Sequence, residues 1–262
     1  MKRFFLATVP ALAGAMAMSA ANAADLPTKA PSVAPYNWTG FYIGGNVGGA
    51  WQRLSNSLSI INNVGFNQTA IPGINASGSP ELNASSVTFG GQLGFNQQIG
   101  NIVYGAEVDF NWFNLKNDAG GTFNFTTTDT PYVLTTSERT QWLFTARPKI
   151  GWAADRTLFY VTGGLAVTRI QFEQEYGEPR VGIPIRNVAS ATKTKLGWTA
   201  GLGGEWALQE AWSLKAEYLY AHFNTMDTVV RTTNPTSTFS NSLSTLQLHT
   251  VRLGLNYRFG GI

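Results

Sequence analysis

Apolar and polar positions alternate with period two along most of this chain, and the alternation gathers into eight segments: 39–51, 86–97, 102–113, 140–153, 158–169, 196–208, 211–222 and 247–259. In the first, Phe41, Ile43, Val47 and Trp51 fall on one face and Tyr42, Gly44, Asn46 and Gly48 on the other. In the third, Ile102, Tyr104, Ala106, Val108, Phe110 and Trp112 oppose Glu107, Asp109 and Asn111. Successive side chains of a strand point to opposite sides, so each segment predicts a strand with one greasy face and one polar or bare face. The fifth departs in part, because Leu158 and Tyr160 fall on its polar side.

The charges obey the same rule. Glu107, Asp109, Arg147, Lys149, Glu205, Lys215, Glu217, Arg252 and Arg258 all lie opposite the aromatic face. A soluble barrel would turn the greasy face inward, but an eight-stranded interior holds only close-packed side chains or one small ligand. A barrel in a bilayer turns it outward. A slip of one residue would then put every charge into lipid, at roughly 2–4 kcal/mol for each Arg or Lys at the midplane. That sum is comparable to a whole folding stability of about 5–15 kcal/mol, so the register is strongly specified. Gly44, Gly48, Gly90, Gly94, Gly105, Gly197, Gly201 and Gly203 share the charged side and leave room for long side chains crossing the interior.

The connections alternate in length. Those at 97–101, 153–157 and 209–210 are tight, whereas 52–85, 114–139, 170–195 and 223–246 are long. Long loops without their own structure are unusual in a compact soluble domain. They fit an all-β fold, an eight-stranded antiparallel transmembrane β-barrel with short periplasmic turns and long extracellular loops. The tryptophans support two aromatic girdles, with Trp51, Trp112, Trp142 and Trp198 at the outer rim and Trp38, Trp152, Trp206 and Trp212 at the periplasmic rim. Indole prefers the headgroup level.

The N-terminus changes the charge argument. Lys2 and Arg3, an apolar run from Phe4 to Met18, and Ala21-Asn22-Ala23 read as a secretory signal peptide over 1–23, cleaved after Ala23. A Pro/Ala-rich N-terminal tail (24–37) and the barrel (38–262) follow. The full chain carries +3, but loss of Lys2 and Arg3 with the leader leaves +1, and no Lys/Arg stripe is present, which excludes nucleic acid as a partner. Charged residues make up only 13% against a usual ~25%. Beyond the leader no apolar run reaches the ~18 residues of a transmembrane helix. Cysteine is absent, which excludes disulfides and a lipoprotein anchor.

At this point NWTGFYIGGNVGGAW, GWTAGLGGEWAL, AEYLY and HTVRLGLNYRF carry a resemblance. The chain resembles the small outer-membrane β-barrel proteins of alphaproteobacteria, which include the Brucella-type major surface antigens, and is similar to the OmpA-like transmembrane barrel. The resemblance covers essentially the whole mature chain. It implies location in the cell outer membrane, a role in envelope integrity and surface contact, and, as partners, outer-membrane lipids, lipopolysaccharide, the barrel-assembly machinery and a host or surface ligand. Such barrels usually end on an aromatic residue that the insertion machinery reads. Here Gly260, Gly261 and Ile262 follow Phe259, a departure from that pattern.

Three functions compete. In the first, a structural surface protein, paired charges plug the lumen. In the second, the chain is a small porin-like diffusion channel, for which eight strands leave little room. The third, a barrel enzyme, needs a nucleophile or activated water beside an oriented base. His222 and His249 are the only histidines, placed near the outer rim and pointing outward. They could touch lipopolysaccharide phosphates, haem or a metal, yet no second ligand has metal spacing. Glu107 and Asp109, alternate on one inner face, fit charge balance with Arg147 and Lys149 better than acid–base catalysis. No catalytic residue, metal site or cofactor is expected. In the third outer loop Arg169, Arg180, Arg186, Lys193 and Lys195 form a candidate phosphate site, diluted by Glu173, Glu175 and Glu178.

Overall fold

The computed structural model describes residues 36–259 apart from 64–68, 80, 126–128, 179–184, 210, 225 and 232–236. The signal peptide (1–23), most of the tail (24–35) and residues 260–262 lie outside the described residues. The strands are β1 (Gly40–Asn63), β2 (Glu81–Ile99), β3 (Ile102–Asn124), β4 (Pro131–Ala154), β5 (Thr157–Glu178), β6 (Ile185–Ala207), β7 (Trp212–Phe223), β8 (Met226–Arg231) and β9 (Ser237–Phe259). A short helix, α1 (Ile71–Ser77), follows β1.

All neighbours pair antiparallel, in the order β1-β2-β3-β4-β5-β6-β7-β9, and β9 closes back onto β1. β7 takes the lower part of β9, from Trp212↔Tyr257 to Phe223↔Leu246, and β8 takes the part above, from Met226↔Leu243 to Arg231↔Thr238. β7 and β8 are therefore two pieces of one stave, and the closed barrel has eight positions around its ring. Closure removes the open sheet edge that a bilayer would not tolerate.

The faces follow the alternation. Phe41, Ile43, Val47, Phe89, Leu93, Val108, Leu202, Leu253 and Leu255 are exposed around the outside. Leu158 and Tyr160 do point inward, as their position in the fifth segment required, and both are buried. On β4, Trp152 lies ten positions after Trp142. At about 3.3 Å per residue and a tilt of about 40°, that run covers about 25 Å, the height of an outer-membrane apolar band.

Above the outer tryptophans the strands keep going. Much of the four stretches expected as outer loops is strand: β1 runs to Asn63, β3 to Asn124 and β5 to Glu178, while β4 begins at Pro131. Two causes hid these extensions. Outward positions turn polar there (Arg53, Lys116, Asp118, Arg139, Glu173), and inward ones turn apolar (Leu54, Leu134, Phe172), so the pattern inverts. The register also slips between Trp112 and Leu115, between Thr140 and Leu143 and between Leu54 and Asn56. Each slip inserts a residue as a β-bulge does, and on β4 it shifts the parity that alternation relies on, from buried Leu143, Thr145 and Arg147 to buried Thr140, Glu138 and Thr136.

Candidate functional site

The interior is stacked in layers. At the periplasmic end Trp38, Val103, Ala153, Leu158, Tyr160 and Ala207 pack together, with Tyr36 against them. Next comes a charged layer. Arg147 bridges Glu107 and Asp109 at 2.7 Å each and reaches Glu217 at 3.2 Å. Lys215 lies 2.6 Å from Glu107 and 3.4 Å from Glu217. Arg252 contacts Asp109 at 2.8 Å and also bonds Glu217. Three carboxylates thus face three cations, and all six side chains are buried. Burying ions is expensive unless they are paired and their remaining donors and acceptors satisfied. Tyr42 donates to Glu107 at 2.7 Å and Tyr160 to Glu217 at 2.9 Å, which helps meet that condition.

Glu205, Lys149 and Arg258 stand apart from this knot. Lys149 lies 3.9 Å from Glu205 but donates to Tyr42 at 2.9 Å and sits over the rings of Tyr42 and Tyr160. Glu205 accepts from Asn256 at 2.8 Å, and Arg258 stacks on Tyr36 with its guanidinium carbon 4.4 Å from the ring centre. Two glycines make this crowding feasible. A Cβ at Gly94 would run into the ring of Tyr42, and one at Gly203 into the ring of Tyr160.

Above the charges lies an apolar layer containing Leu54, Leu82, Phe113, Leu115, Leu143, Ile170, Phe172, Phe223, Leu246 and Leu248. Four residues beyond Trp142 on β4, outside the span between the girdles, Glu138 is buried in the lumen and accepts hydrogen bonds from Gln52 and Thr140. Burial without a nearby cation pushes its carboxyl up to about 7. Finally Ile74 of α1 packs with Leu58, Ala70, Tyr132, Leu134 and Tyr176. Sequence reasoning missed this upper plug. Its signal was a second set of alternating apolar residues, such as Tyr132 and Leu134 on β4, on the face that carries charge lower down.

The outer surface holds the remaining candidates. Trp51, Trp112 and Trp198 are exposed near the outer rim, with Trp142 partly so, and Trp152, Trp206 and Trp212 are exposed near the periplasmic rim. Trp38 does not join the lower girdle. It is 1% exposed, its backbone N–H donates to Gln98, and Tyr36 packs on it edge-on. It precedes the first strand residue, Gly40, and packs into the lowest lumen layer instead of extending the outward row that begins at Phe41. His222 and His249 are partly exposed amid aromatic rings. His249 Nδ1 lies 2.8 Å from the Tyr218 hydroxyl, and His222 stacks on Trp198. The basic loop set is divided. Arg169 is exposed opposite Thr194, whereas Lys193 and Lys195 pair in register with the buried Ile170 and Thr168, on the other face of the sheet. Arg180 and the side chain of Arg186 lie outside the described residues.

A closed eight-position barrel, apolar on the outside between exposed tryptophans towards both ends and holding buried ion pairs within, defines an outer-membrane β-barrel protein. The chain matches the family model for the outer membrane protein beta-barrel domain over residues 10–259, and it belongs to that family. It is 33% identical to the 31 kDa outer-membrane immunogenic protein of Brucella melitensis, over 99% of this chain and 100% of that protein. A 22 kDa outer membrane protein of Rhizobium leguminosarum is 26% identical over 53% of this chain and 54% of its own. Among solved structures, OprG of Pseudomonas aeruginosa aligns over 86% of this chain and 99% of its own, with 10% identity and a TM-score of 0.46.

Proposed function

We propose that this outer-membrane barrel is a structural surface protein, closed to solutes, that contributes to envelope integrity and presents its upper wall to the outside. One observation carries this reading. Four successive layers of buried side chains cross the lumen, and the ion-paired layer among them joins β3, β4, β7 and β9. Three of its contacts, Arg147–Glu217, Lys215–Glu107 and Arg252–Asp109, link strands that are not neighbours, so the layer braces the tube as well as filling it. Glu107 and Asp109 are tied to cations, an arrangement suited to charge balance and not to proton transfer during catalysis. Removal of the leader after Ala23 and insertion by the barrel-assembly machinery complete the proposal.

Planar-bilayer recording of the purified protein tests it. The closed barrel gives no stable, defined openings. Reproducible unitary currents from the native protein would instead establish a diffusion channel. The intact mass of the membrane-extracted chain checks the leader, with the expected mass beginning at Ala24.

A further inference from the structure

Two concavities open on the outer wall just above the outer tryptophans, and they differ in charge. One, of about 370 Å³, includes Lys116, Arg139 and Glu173 in its lining, and Lys116 is already paired with Asp118 at 2.7 Å. The other, of about 580 Å³, is lined by Trp51, Arg53, Asn83, Ser85 and His249 with Gln52 and Ala84, and has no carboxylate in its lining. The pairing builds it. Trp51 lies directly across from His249 on β9 and from Ser85 on β2, and Arg53 lies across from Asn83. Arg53 is exposed, and among the described residues no carboxylate forms an ion pair with it. Glu81 is the nearest acid along the outward row of β2, but it stands opposite Ser55, farther from the bilayer.

The orientation of the rings matters. An added Cβ at Gly49 would lie 2.9 Å from the Trp51 ring, so the indole lies down over Gly49 toward the membrane. That leaves Arg53, Asn83, Ser85 and His249 grouped above an indole at the headgroup level. His249 has Nδ1 engaged by Tyr218, which leaves Nε2 as its second ring nitrogen for another partner.

We propose that this concavity binds a phosphate of an outer-leaflet glycolipid. The Arg53 guanidinium offers two parallel N–H donors matched to phosphate oxygens. His249, Ser85 and Asn83 supply further hydrogen bonds, and Trp51 packs against the lipid below. The inference rests on the outer-membrane placement of the barrel but not on whether the lumen conducts.

The test uses the full protein in detergent micelles, offered bisphosphorylated lipid A or the same lipid with both phosphates removed, and counts retained lipid by native mass spectrometry. The native protein retains the phosphorylated lipid about tenfold better, as expected for charge-assisted contacts to phosphate. Arg53→Ala with His249→Ala abolishes that preference, and Arg53→Glu alone reverses it. Arg139→Ala, in the other concavity, leaves it intact. Heat-modifiable migration on a gel confirms that each variant is folded. The proposal fails if the native protein shows no preference, if the double variant keeps it, or if Arg139→Ala loses it equally, which would mean diffuse surface charge. A protein absent from the outer-membrane fraction would overturn the placement instead.

Discussion

Along β4, the lower half turns Phe144, Ala146 and Ile150 outward and Thr145, Arg147 and Lys149 inward; the upper half turns Ser137 and Arg139 outward and Tyr132 and Leu134 inward. The same strand is thus inside-out below Trp142 and ordinary above it. The bulged register between Thr140 and Leu143 lies at the changeover. The contrast teaches that the solvent on the outside, and not the strand itself, sets which face carries apolar residues. Hydrocarbon surrounds the lower half, so apolar burial inside gains little there and paired charges fill the tube. Water surrounds the upper half, where the hydrophobic effect packs the interior as in a soluble domain.

Four substitutions break or sharpen this comparison. Arg147→Met leaves Glu107, Asp109 and Glu217 crowded in the lower lumen with one partner fewer. It destabilises the barrel by about 3–5 kcal/mol, the range for breaking a buried ion pair, read from guanidinium unfolding in lipid vesicles. Leu253→Arg puts a charge on the lipid face of β9 and costs roughly 2–4 kcal/mol in the same assay.

Glu138→Gln acts on the upper half and carries a pH signature. Because burial raises the Glu138 carboxyl to about 7, the folded state holds that proton more tightly than the unfolded chain. Its contribution is full below the ordinary carboxylate range near 4.5 and is lost as pH rises through about 7. The glutamine variant should therefore match the native protein near pH 4 and exceed it by ~3 kcal/mol near pH 8. Equal stabilities at pH 8 would show that water or an ion reaches the carboxylate. Smallest is Gln171→Arg, on the outward polar wall of β5, which should shift stability by no more than about 0.5 kcal/mol. A loss like that of Leu253→Arg would place that wall in lipid.

The lower half was legible from sequence because one rule governs it. Apolar residues take every second position without interruption from Ile102 to Trp112 on β3, with Glu107 and Asp109 only on the opposite face, and a bilayer penalises any error in that order. The upper half was not, because its code runs in reverse and on β4 starts after a parity shift. Phe172 and Leu134 alternate with Glu173 and Thr135, but a reader following aromatic-outside positions upward meets polar residues and ends the strand. Trp38 was misplaced for a different reason. Tryptophan at a strand end suggests a girdle, yet Trp38 sits before the strand begins and packs with Val103, Leu158 and Tyr160 inside the lumen. The charged knot was legible as a set of inward residues but not as a partition. Which six residues meet, and that Lys149 prefers Tyr42, depends on register between strands distant in sequence.

The inversion itself is tested most directly by spin labels placed one at a time on outward positions of β4, with accessibility to oxygen compared with that to a water-soluble nickel complex. Labels at Ile150 and Phe144 should report oxygen and exclude nickel, and labels at Arg139 and Ser137 should report the opposite, with the crossover at Trp142. Oxygen-dominated signals at Arg139 and Ser137, or a nickel-dominated signal at Phe144, would contradict a change of outer solvent at that level.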